Sequence, residues 1–136
     1  MVKSVLFVCN QNSVRSPMAA ALMRLSYNEH MHVDSAGVYE GMKDPFLDNI
    51  LEEVGAACVV EEPKDLSAID AQLFDIAIAL TPEAHTALKD HFPDNKIETW
   101  FTTNPSEAQG SRDQIVDAYR TVRDELRRLI TDRFPV

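Results

Sequence analysis

Three short strand-like runs, two of them apolar, each followed by a stretch with helical spacing, constrain this chain more than any other feature. "SVLFV" (4–8) is unbroken and leads past Pro17 into "MAAALMRLSY". Such a run suits a strand buried on both faces, and proline suits the first turn of a helix. "MHVDSAG" (31–37) reads as a second strand ending at Gly37. It precedes "DPFLDNILEEVG", where Phe46, Ile50, Leu51 and Val54 share one helical stripe stopped by Gly55. "FDIAIAL" (74–80) is a third strand, and Pro82 opens "EAHTALKDHF". "KIETWF" (96–101) alternates as an edge strand would. Ser111 and Gln114 then form a capping box before a helix carrying Ile115, Tyr119, Val122, Leu126 and Ile130. Strand and helix alternate, which predicts an α/β three-layer sandwich: a four-stranded parallel sheet with helices on both faces. With 136 residues and no repeat or linker, residues 1–136 are expected to form one domain. Ligands of such sheets bind beyond the carboxyl ends of the strands, and Cys9 sits at one of those ends.

Charge narrows the partners. Thirteen Lys and Arg stand against 22 Asp and Glu, a formal net charge of -9. An acidic surface repels nucleic acid and anionic lipid, so neither is an expected partner. A small anion remains feasible where positive potential is concentrated, as at Arg15. Oligomeric state is left open. The only cysteines are Cys9 and Cys58, too few for a disulfide framework and without zinc-ligand spacing. A reducing cytoplasm is the expected compartment. "VLFVC" is too short for a signal segment, and no apolar stretch nears the ~20 residues of a membrane span. Cys58 reads as a buried apolar position, His85 and His91 as helix-surface residues. No metal and no cofactor is expected.

The stretch "FVCNQNSVRSP" (7–17) is the chemical candidate. If residues 10 to 15 wrap back to a helix start, successive N–H groups form an anion nest backed by the helix dipole. Arg15 can fork onto two phosphate oxygens, and the same field favours charge on the Cys9 sulfur. Ser16 can donate to that sulfur. Asn12 tolerates the left-handed backbone that a tight loop needs, and its amide can tie the loop to a neighbour. Each residue also has a plain structural reading. Cys9 fits a buried small hydrophobe, Ser16 an N-cap, Arg15 a solvated charge and Ser35 a strand-end turn residue.

Taken together, "VLFVCNQNSVRSPMAAAL", "VDSAGV" (33–38), "FDIAIALTPEAH" and "WFTTNPSEAQGSRDQIVDAYRTVRDEL" resemble the low-molecular-weight protein tyrosine phosphatase family. Its phosphatase I-like fold is shared with the thioredoxin-coupled arsenate reductases. The resemblance implies a cysteine-dependent phosphomonoesterase acting through a phosphocysteine intermediate on an aryl phosphate or phosphotyrosine protein. It makes Cys9 the nucleophile and Arg15 the transition-state cation, with Ser16 assisting the thiolate. It gives the equatorial oxygens to the backbone amides of Asn10, Gln11, Asn12, Ser13, Val14 and Arg15. Asn12 and Ser35 would brace the loop.

The chain departs from the family in three places. At the position of the family's general-acid Asp, in an Asp-Pro pair, stands Asn104-Pro105. An amide cannot protonate a leaving group, and general acid–base catalysis is typically worth about 10²–10⁴-fold. Glu107 and Asp113 lie nearby in sequence as substitutes, with plain readings as a loop charge and a first-turn carboxylate. Asp44-Pro45 also spells Asp-Pro, but it reads as an N-cap and lies in the wrong region. Secondly, Val14 occupies the place where many relatives carry a second cysteine. Thirdly, "ALTPEAHTALKDHF" lacks the two relay cysteines of the arsenate reductases. Two alternatives stand beside the phosphatase: an arsenate reductase-type protein acting on an inorganic oxyanion with an external thiol, and a non-catalytic phosphate or phosphotyrosine binder. Tyr39, Phe46 and Trp100 are candidates for an aromatic substrate wall, or for core.

Overall fold

The computed structural model describes residues 2–27, 31–57 and 62–135. Cys58 lies outside the described residues, so its expected burial is left there. The chain runs β1 (Ser4–Cys9), α1 (Arg15–Tyr27), β2 (His32–Gly37), α2 (Leu47–Glu52), β3 (Ile76–Ala79), α3 (Pro82–Leu88), β4 (Ile97–Thr99) and α4 (Arg112–Arg133). All three strand pairings are parallel, in the order β2-β1-β3-β4. This is the α/β architecture the alternation predicts.

The unbroken apolar run of β1 has a direct cause. Successive side chains of a strand point to opposite faces, and here both faces are covered. Val5, Phe7 and Cys9 join one buried cluster with Met18 and Leu22 of α1, Ile50 of α2 and Leu126 of α4. Leu6 and Val8 join the other, with Ala84 and Leu88 of α3. Each large apolar side chain so buried contributes about 1.5–3 kcal/mol relative to exposure. The helices thus form the outer layers, three on one face and α3 on the other.

Boundaries follow local chemistry. In α1, Pro17 falls within the first turn, where no N–H is needed. Gly55, at φ 78°, ends the α2 region with Ala56 N–H donating to Leu51 O and Gly55 N–H to Glu52 O. That pair of bonds is a Schellman motif, and it depends on the left-handed glycine. Thr81 caps α3, its side chain accepting from Ala84 N–H. The Ser111–Gln114 capping box opens α4.

One expectation is corrected. Asp44 is not the N-cap of α2; that position is Phe46, which makes no side-chain cap bond. Asp44 instead accepts from Phe46 N–H at 2.8 Å and from the Tyr119 hydroxyl at 2.7 Å. Tyr119 is 2% exposed, and a buried hydroxyl needs an acceptor. Burial, then the neighbouring Asp44, push the Tyr119 phenol well above its ordinary range. Among the described residues no helix is long and apolar enough to cross a membrane. None of their His, Cys, Asp and Glu side chains form a metal-holding group of three or more.

Candidate active site

β1 ends at Cys9 and α1 begins at Arg15, leaving five residues to turn the chain. Asn12 supplies the required left-handed backbone, at φ 54°. The segment after β2 grips this loop by its carbonyls. Val38 N–H donates to Cys9 O at 3.0 Å, Tyr39 N–H to Asn10 O at 2.7 Å and Gly41 N–H to Gln11 O at 3.0 Å. In a trans peptide the carbonyl of one residue lies antiparallel to the N–H of the next. The N–H groups of Asn10, Gln11 and Asn12 are therefore directed away from that segment. Among the described residues, the backbone N–H groups of residues 11 to 15 find no acceptor. Two glycines permit the close fit. A Cβ at Gly37 would lie 2.7 Å from Asn12 N, and one at Gly41 would lie 2.8 Å from Gln11 O.

A buried polar network fixes the loop from within. The Asn12 amide donates to Ser16 Oγ at 2.9 Å and Ser35 Oγ at 3.0 Å, while its oxygen accepts from Lys64 N–H at 3.0 Å. All three of its directed partners are protein atoms, so the side chain has one orientation. Ser16 Oγ lies 3.0 Å from Cys9 Sγ and 3.2 Å from Ala36 O. A hydroxyl has one proton. When the sulfur is a thiol it can donate to Ser16, whose proton then goes to Ala36 O. When it is a thiolate, only Ser16 can donate, and its proton turns to the sulfur. Ser16 thus lies inside the first turn of α1, against the sulfur, rather than at an N-cap. Ser35 is a fully buried strand residue rather than a turn residue.

The distant half of the site arrives through β4. Past that strand, Trp100 and Thr102 N–H continue to donate to Ala79 O and Leu80 O. This carries the chain across the carboxyl end of the sheet. There Arg15, 8% exposed, donates through Nη1 to Thr102 O at 3.0 Å. Beyond Thr102, Asn104 caps a single 3₁₀ turn, Pro105–Glu107. Its side-chain oxygen accepts from Ser106 N–H at 3.1 Å and Ser106 Oγ–H at 2.7 Å.

These pieces enclose one open cavity of about 320 Å³. Cys9, Asn10, Gln11, Ser13, Val14 and Arg15 line one side, and Asn104, Ser106 and Glu107 the other. Asn12, Ser16 and Ser35 stand behind the wall. Asp113 and Asp44 do not line it. The three aromatic candidates do not line it either. Trp100 packs on Phe7 and Phe134, with ring centroids 5.8 and 6.4 Å apart, and Phe46 packs on Tyr119 at 5.2 Å. Tyr39 is exposed outside it.

Two supports escaped the sequence reading. The Thr81 hydroxyl donates to Asn10 Oδ1 at 2.6 Å, linking α3 to the loop. Thr-Pro at a helix start is a readable cap signal, though not a signal of that second bond. Lys64 acts through its backbone: besides reaching Asn12, its carbonyl accepts from Gly37 N–H. No side-chain pattern announces such a contact.

The fold is shared with known proteins. A protein-arginine-phosphatase from Geobacillus stearothermophilus is 32% identical over 93% of this chain and 90% of its own length. An arsenate reductase from Bacillus licheniformis is 28% identical, over 91% of this chain and 89% of that one. The solved arginine phosphatase from Geobacillus stearothermophilus superposes with a TM-score of 0.79 at 27% identity, covering 96% of this chain and 89% of that one. The family profile described as low molecular weight phosphotyrosine protein phosphatase matches residues 4–132. The chain belongs to the low-molecular-weight phosphotyrosine protein phosphatase family.

Proposed function

We propose that the chain is a cysteine-dependent phosphomonoesterase that works through a phosphocysteine intermediate, slowed by the amide at residue 104. One observation carries this reading. The Cys9 sulfur lies 3.0 Å from the Ser16 hydroxyl, at the base of a loop whose N–H groups are free and whose last residue is Arg15. A thiolate is the nucleophilic form of cysteine. In this reading it attacks phosphorus in line, forming the S–P bond as the bond to the leaving group breaks. Loop N–H groups and the Arg15 guanidinium hold the equatorial oxygens, where fixed donors stabilise charge that develops in the transition state. Water then attacks phosphorus, the S–P bond breaks, and Ser16 donates to the departing sulfur. An arsenate reductase that relays oxidation through three of its own cysteines does not fit, because this sequence has two.

Steady-state kinetics of Asn104→Asp on two aryl phosphates test the assignment of residue 104. Turnover of phenyl phosphate is expected to rise about tenfold or more, a fraction of what general acid catalysis typically supplies. Turnover of p-nitrophenyl phosphate, whose leaving group needs little protonation, rises less. Equal rates for variant and wild type on both substrates remove residue 104 from the proton-transfer position.

A specific observation favours a second reading of the substrate. Among the described residues no aromatic side chain lines the cavity; its far wall is Asn104, Ser106 and Glu107. A wall of an amide, a hydroxyl and a carboxylate suits the guanidino group of phosphoarginine better than a phenyl ring. A relative at 32% identity is a protein-arginine-phosphatase. With one peptide phosphorylated on either arginine or tyrosine, kcat/KM is expected to favour phosphoarginine by about tenfold, the worth of one modest polar contact. Equal values, or a preference for phosphotyrosine, restore the aryl substrate.

A further inference from the structure

We propose that Glu107 is the proton donor to the leaving group in this chain, in place of the residue at 104. The inference rests on the phosphatase reading above. Glu107 is the one carboxylate among the described residues that line the cavity with Cys9 and Arg15. Asn104 lines it too, yet its side-chain oxygen is committed to Ser106. The geometry of the turn relates the two. Asn104 caps a 3₁₀ turn whose last residue is Glu107, and Glu107 N–H donates to Asn104 O at 3.3 Å. Both residues line the cavity from this one turn, so Glu107 faces the anion loop from the wall that carries residue 104. The Asn104 cap fixes the turn that aims it.

The step balances without any further reactant. As the Cys9 sulfur bonds to phosphorus, the bond from phosphorus to the leaving oxygen breaks, and that oxygen takes the proton of the Glu107 carboxyl. The resulting carboxylate then accepts a proton from the water that attacks phosphocysteine. The S–P bond breaks, the thiolate is restored, and phosphate and the alcohol are the products. The charged and titratable groups facing Glu107 are Cys9 and Arg15 across the cavity and Glu125 of α4, with which it lines a hollow on the other side of the turn.

Single-turnover and steady-state kinetics of Glu107→Gln and Glu107→Asp test this. In Glu107→Gln, turnover of phenyl phosphate is expected to fall about 10²-fold, the lower end of general acid catalysis. The first-turnover burst with 2,4-dinitrophenyl phosphate, whose leaving group needs no proton, changes less than threefold, so dependence on the leaving group steepens. Glu107→Asp restores part of the loss, and Asn104→Asp placed in the Glu107→Gln background restores it through the neighbouring position. An active wild type whose leaving-group dependence is unchanged in Glu107→Gln overturns the proposal. So does an equal loss on both substrates, which assigns Glu107 a purely structural role. A wild type that forms no phosphocysteine on any aryl phosphate overturns the phosphatase reading itself, and this proposal with it.

Discussion

Replacing Cys9 with serine is expected to abolish turnover, by about 10⁴-fold or more, while phosphate still binds. The size of the loss follows from what nucleophile deletion does elsewhere when catalytic groups act as a unit. A serine hydroxyl is a weak nucleophile unless a base takes its proton. Among the described residues no side chain is placed to do so: the neighbour of Cys9 Sγ is Ser16 Oγ, another hydroxyl, and the one carboxylate lining the cavity is on the opposite wall. Binding is retained because the donors to phosphate lie elsewhere. The free N–H groups of residues 11 to 15 are held by contacts to residues 38, 39, 41 and 64, none of which involves the sulfur. Calorimetry with inorganic phosphate and a continuous assay with an aryl phosphate check the two halves separately. Full activity in Cys9→Ser eliminates the nucleophile; loss of phosphate binding along with activity means the loop depends on the sulfur for its shape.

Arg15→Lys is expected to cost about 10³-fold in kcat/KM and to weaken phosphate binding. The charge is kept, so the effect isolates geometry. A guanidinium has five donors in a fixed fork, whereas an ammonium is a point charge on a flexible stem. One Nη1–H of Arg15 is engaged with Thr102 O, which orients the plane and leaves donors for two phosphate oxygens. Lysine can satisfy Thr102 or the anion from its single nitrogen, but does not reproduce the fork. Losing a preorganised donor to the transition state typically costs about 10²–10³-fold, and losing an arginine that stabilises a transferring phosphoryl group costs about 10³–10⁵-fold. A variant within tenfold of wild type would take Arg15 out of the transition state and leave it a tether between the two walls.

The layers were readable from β1 onward because burial on both faces leaves a mark in the sequence. Leu6 and Val8 go to one cluster, Phe7 and Cys9 to the other, and the apolar run shows both. The Ser111–Gln114 box was readable because its partners are three residues apart. Asp44 was misread because its deciding partner is Tyr119, 75 residues away, and a carboxylate before a helix looks the same whichever donor it serves. Trp100 and Phe46 were candidate walls because an aromatic residue near a site cannot be told from core by spacing. Only the packing on Phe7, Phe134 and Tyr119 distinguishes them. The cradle is local, six residues between a strand and a helix, and so it could be read. The opposite wall depends on β4 pairing beyond its own end and on the hand of one 3₁₀ turn, neither of which composition encodes.

The two walls of the cavity meet through a single described side-chain bond, Arg15 to Thr102 O, and Thr102 contributes only its backbone. Any residue at 102 with a carbonyl would serve. On the proposed reading, the anion receptor and the proton source can therefore drift separately under mutation. A substitution at 104 or 107 would then change what is done to a bound phosphoryl group without touching the bond that joins the two walls. On the same reading, single codon changes in one turn would carry such a chain between receptor, slow hydrolase and fast hydrolase, with the nucleophile loop untouched throughout.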